Sequence, residues 1–107
     1  MEITVAPSGR DAVNGALVCC IAAARRLADE LEVEAMSAAL QASRLLEEAG
    51  ADPAVAEESV VEETMTRQPS GRALLTAAAE LLDGVGADQR GAMLPARAEL
   101  AVALSSS

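Results

Sequence analysis

Between Arg10 and Ala49 the chain carries no proline and a single glycine, Gly15, and Gly50 then closes the stretch. A run of that length without a breaker points to helix, provided its apolar residues recur with a helical period. They do. Val13, Leu17, Cys20, Ala24, Leu27 and Leu31 are separated by 4, 3, 4, 3 and 4 residues, the seam of a helix packed along one side. The next heptad position is Glu34, and the seam resumes one residue later as Ala35, Ala39, Ala42, Leu46 and Ala49. A continuous helix would need a local phase shift near Val33. Asp29 and Glu32 have the spacing of a capping box and offer a second start there. We read residues 10–49 as one long helix, with a bent pair as the alternative.

The rest of the chain is punctuated more often. Asp52-Pro53 is a strong helix start, because Asp caps the first turn and Pro is already set for the first helical position. The spacing predicts a helix over 53–67, with Pro53, Ala56, Val60, Val61, Thr64 and Met65 on one face and Gln68-Pro69 as its stop. Ser70 caps a helix over 71–83, in which Leu74, Leu75, Ala78, Leu81 and Leu82 oppose Arg72, Thr76, Glu80 and Asp83. Gly84 ends it. Gly84, Gly86 and Gly91 make 84–94 read as a Gly-rich linker, and Pro95 opens a short last helix to Leu104. Residues 1–8 read as an extended lead and 105–107 as a disordered tail.

Composition settles the class. Of 55 hydrophobic residues, 25 are Ala and 28 are Leu, Val, Ile or Met, and none is aromatic. Alanine is the best helix former and lets helices approach closely, but it buries little area. Strand formers are scarce and no sustained period-two alternation exists. The expectation is one all-α domain over 1–107, a small antiparallel bundle of four to five helices, with the long N-terminal helix or its bent-pair alternative as the first element. A core so poor in large side chains makes a lone, highly stable monomer unexpected.

The same inventory excludes most chemistry. There is no His and no Lys, and all eight basic residues are Arg. The commonest general base, the commonest metal ligand and Schiff-base chemistry are thereby absent, so we expect no enzyme and no cofactor. Cys19-Cys20 could form half of a thiolate site, but neighbouring thiols on a helix point about 100° apart, and we read them as core. Glu57, Glu58, Glu62 and Glu63 place four carboxylates on one short segment, read as a solvated acidic surface, with Glu63 and Arg67 at a favourable helical spacing. The net charge of −9 resides entirely in residues 1–63 and argues against nucleic acid or an anionic membrane as partner. The apolar run from Gly15 to Ala24 is too short to span a bilayer, and Glu2 and Asp11 spoil the basic region that a signal peptide carries ahead of its apolar stretch, so a cytoplasmic location is expected.

These readings converge on a non-enzymatic interaction module of adaptor or chaperone type, binding a partner helix or a second copy through Ala- and Leu-rich faces. The candidate contact residues are Leu74, Leu75, Leu81, Leu82, Leu94, Leu100, Val102 and Leu104. An acidic decoy that occupies a nucleic-acid-binding surface is the second reading, and a carboxylate-dependent metal-binding protein the third. The helix beyond the linker is expected to be detachable, with Leu94, Leu100, Val102 and Leu104 all buried on this chain or on another.

Overall fold

A computed structural model describes residues 9–67, 70–85 and 87–105. The expected lead, 1–8, lies outside the described residues, as do residues 106–107 of the expected tail. The architecture is all-α: α1 (Gly9–Asp29), α2 (Val33–Glu48), α3 (Glu58–Arg67), α4 (Gly71–Asp83) and α5 (Ala87–Ser105), with a 3₁₀ turn at Pro53–Val55. No strand occurs among the described residues.

The long N-terminal helix is two helices. α1 stops at Asp29 and α2 starts at Val33, so the bent pair is the form the chain adopts. The reason lies in the misplaced carboxylate. A continuous helix would have carried Glu34 onto the buried seam; reversing the chain over 30–32 leaves Glu34 exposed and faces the second seam toward the first. Val13, Leu17, Cys20, Ala24 and Leu27 of the first seam are buried, as are Ala35, Ala39, Ala42 and Leu46 of the second. Leu31, the expected last member of the first, is 84% exposed. The Asp29–Glu32 capping box does not form either: Glu32 itself precedes the first turn of α2 and makes no side-chain cap bond.

The expected helix over 53–67 is interrupted. Asp52 caps as anticipated, its Oδ1 accepting from the Ala54 N–H at 2.9 Å, but the turn lasts three residues. Two anchors on α1 set the span. Asn14 Oδ1 accepts from the Asp52 N–H at 2.9 Å, and Arg25 holds Glu58. A helix over 52–58 rises about 9 Å, whereas Asn14 and Arg25 lie about 16 Å apart along the axis of α1. The non-helical pair Ala56-Glu57 covers part of that difference. Within α3 just one residue, Val61, is buried.

α4 forms where expected. Ser70 accepts from the Ala73 N–H at 3.2 Å, and Gly84 terminates the helix. Residues 84–94 are not a linker, because helix resumes at Ala87 and runs through Gly91 and Pro95 to Ser105. Pro95 does not open that helix but sits inside it. Ser105 is its last residue rather than part of a tail. Local propensity is overruled here by packing: Met93, Ala96, Leu100 and Ala103 form a buried stripe, and α5 packs on both α2 and α4. Gly91 and Pro95 both face solvent, where their cost is lowest.

The helices form a ring of four, α1 against α2, α2 against α5, α5 against α4 and α4 against α1, with α3 laid on the outside of α1. α5 thus docks on α2 and α4. Close approach sets the direction of the neighbours. A methyl on Gly71 would come 2.6 Å from Leu27 Cγ, and one on Gly15 would come 3.2 Å from a Leu81 methyl, so α4 runs antiparallel to α1. Arginines fasten the ends. Arg72 donates to the Leu104 carbonyl at 2.6 Å, and Arg97 binds Asp83 at 2.9 Å, which fixes α5 antiparallel to α4. Arg26 donates to the Met65 carbonyl at 2.8 Å in the last turn of α3. Each carbonyl at a helix C-terminus gains a cation where its dipole is negative.

Candidate interaction surface

α1 and α2 end in the same motif. At the end of α1 the Leu31 N–H donates to the Ala28 carbonyl at 3.2 Å and the Glu32 N–H to the Leu27 carbonyl at 2.9 Å. At the end of α2 the Gly50 N–H donates to Glu47 at 3.1 Å and the Ala51 N–H to Leu46 at 2.9 Å. Both are Schellman closures, which place one residue in the left-handed region. At the second that residue is Gly50, with φ +113°; at the first it is Leu31, with φ +61°. For a residue with a β-carbon this conformation costs about 1–2 kcal/mol.

Leu31 therefore stands out twice, by backbone and by exposure. It belongs to a larger set. Among the described residues the exposed large apolar side chains are Leu31, Val33, Leu40, Val60, Leu94 and Val102. Val33 (64% exposed), half-buried Met36 and Leu40 (49% exposed) follow one another at helical spacing on α2. Met36 and Leu40 face Ile21, Ala24, Arg25 and Ala28 of α1 across an open groove of about 250 Å³. Arg25 forms one wall. Its guanidinium donates to both oxygens of Glu58, at 2.7 and 2.9 Å, and Glu62 also lies close enough to favour its charge. The bidentate bond and the cation hold the Glu58 carboxyl below the usual carboxylate range.

The residues singled out in the sequence are distributed differently. Leu74, Leu75, Leu82 and Leu100 are buried in the bundle, and Leu81 and Leu104 are half-buried, so these six serve the core first. Leu94 and Val102, expected to be buried on this chain or on another, are each 59% exposed on this one. They lie off the buried stripe of α5, on the side that also carries the exposed Ala98 and Ala101. The four glutamates are exposed but do not act as one cluster: Glu58 turns to Arg25, and Glu63 pairs with Arg67 along α3. Among the described residues no three acidic or thiol groups come together as a metal ion needs.

A second opening, of about 310 Å³, lies between α1, α3 and α4 and is lined by Gly15, Val18, Cys19, Val60, Thr64, Arg67 and Leu81. Burial raises the Cys19 thiol above its ordinary value, and burial together with Cys19 pushes Cys20 up to about 12. Both thiols are free, and burial disfavours the thiolate form of each. No family model, curated protein or solved structure matches the chain. Nor is any helix among the described residues long and apolar enough to cross a membrane.

Leu31, Val33, Met36 and Leu40 are not among the contact residues expected from the sequence, where Leu31 reads as a seam residue and Val33 as the place of a phase shift. A signal was present. Glu30-Leu31-Glu32-Val33-Glu34 alternates acid and apolar residues, a period of two at the point where the helical seam lapses.

Proposed function

We propose that this protein is a non-enzymatic helical interaction module of adaptor or chaperone type, which acts by holding a protein partner. One observation carries the reading. Among the described residues, fourteen of the 27 buried apolar residues are Ala, while Leu31, Val33, Leu40, Val60, Leu94 and Val102 are left outside. A chain short of large apolar side chains gains most by burying each of them, so exposing six points to a use elsewhere. The helical frame supplies a rigid backing for such contacts, and the absence of His and Lys leaves little for catalysis. A cytoplasmic location belongs to the same reading.

The test is site-directed photo-crosslinking in cells, with the reactive group at Val33 on α2 and, separately, at Leu94 and Val102 on α5. The module reading expects a discrete, saturable adduct from at least one of these positions and none from exposed Thr76 on α4. Diffuse adducts of equal yield from every position would overturn it.

A further inference from the structure

We infer that the corner between α1 and α2, with Leu31 and Val33 at its tip and the groove beside Met36 and Leu40, docks an amphipathic helix whose apolar face is flanked by Lys or Arg. The inference rests on the interaction-module reading and names the chemistry of the partner. Three observations carry it. First, Leu31 occupies the position that Gly50 occupies in the matching closure of α2, and its φ of +61° is strained for a leucine. Its side chain, 84% exposed, returns little to the monomer in exchange. Second, the exposed Val33 and Leu40 continue that apolar tip along α2 into a groove whose other wall is Ile21, Ala24 and Ala28. Anchors at such helical spacing are what a helix laid in a groove reads.

Third, the border is acidic. Asp29, Glu30, Glu32 and Glu34 are all exposed within the corner, and Glu58 and Glu62 lie near Arg25 on the side of α3. Arg25 is the cation in the groove wall, and Glu58 meets its charge. Arg44 lies one turn beyond Leu40, at the end farthest from the corner. Opposite charge at the rim favours a basic occupant and speeds its encounter. The same charge disfavours a second copy of this chain, because a corner-to-corner contact brings two sets of four carboxylates together.

The full chain contains no aromatic residue, so one Trp in a synthetic peptide reports binding without background. The probe is an amphipathic peptide of about 18 residues with Leu on one face, Lys and Arg at its edges and the Trp among the leucines. A control peptide keeps the apolar face and replaces the basic edges with Glu. The proposal expects the basic peptide to bind at least about tenfold more tightly than the acidic one, and to weaken as salt is raised. The double change L31S/V33S should reduce binding by about tenfold or more. Leu31→Gly should reduce binding while raising the thermal midpoint, a combination that unfolding cannot produce.

Equal binding of both peptides, or binding indifferent to L31S/V33S, overturns the proposal. So does a chain that sediments as a dimer and becomes a monomer on L31S/V33S, since the occupant is then a second copy. If the basic peptide does not bind while crosslinking from Leu94 or Val102 still captures a discrete partner, the corner assignment falls and the interaction-module reading stands.

Discussion

Gly71 and Leu31 occupy neighbouring places at the C-terminal end of α1, and each holds a conformation or a space that another residue type would find costly or easy. Gly71 lets the start of α4 lie against buried Leu27. Gly71→Ala would put a methyl 2.6 Å from Leu27 Cγ, and the neighbours would have to move. We expect a loss of about 1–3 kcal/mol, read from urea unfolding followed by circular dichroism. Leu31→Gly works in the opposite direction and should gain about 1 kcal/mol in the same assay, since relief of the left-handed strain outweighs the added freedom of the unfolded chain. Cys20 gives a pH prediction. Its folded value of about 12 exceeds that of an unfolded thiol, so its contribution is complete below about pH 8.5 and declines as pH rises toward 12. The thermal midpoint should fall across that alkaline window, and Cys20→Ala should flatten the fall.

α5 shows how an element can form against its local sequence. Pro95 removes one helical hydrogen bond and crowds the carbonyl of Gly91, yet the helix continues because Met93, Ala96, Leu100 and Ala103 are buried on α2 and α4. Pro95 itself is exposed, so Pro95→Ala should lose no packing and stabilise the domain by about 1–3 kcal/mol, seen as a higher urea midpoint and more helical signal. The detachable last helix expected from a linker over 84–94 is replaced by a packed one. Leu100→Ser should therefore cost about 2–5 kcal/mol and melt the domain as a whole, whereas Leu94→Ser and Val102→Ser should change stability by no more than about 0.5 kcal/mol. Denaturant curves of the three variants distinguish the packed face from the outer one.

For the whole molecule, charge and core act together. A core more than half alanine gives a modest margin of stability, and a net charge of −9 opposes compaction. Added salt should raise the thermal midpoint of the free protein by screening that repulsion, while weakening its hold on a basic partner. A bound partner should raise the midpoint with its concentration, by mass action. Scanning calorimetry at two salt concentrations, with and without the basic peptide, separates these opposing trends.

Much of this was legible in the residues themselves. The helical class, the seams at Val13 to Leu27 and Ala35 to Leu46, the caps at Asp52 and Ser70 and the stops at Gly50 and Gly84 rest on local periodicity and backbone preference, which any short segment carries. What folding decided was less local. The break at Leu31 has no Pro or Gly to announce it; it falls where the heptad register would have turned Glu34 inward, and it leaves Glu34 exposed. The continuation of α5 through Gly91 and Pro95 depends on α2 and α4 offering a surface for Met93 and Leu100. Most of all, periodicity marks a residue as apolar on one face but cannot say whether that face meets a neighbour. Leu74 and Leu100 found partners inside the ring of four helices, and Leu31, Val33 and Leu94 did not, because only the packed arrangement determines which apolar faces remain outside.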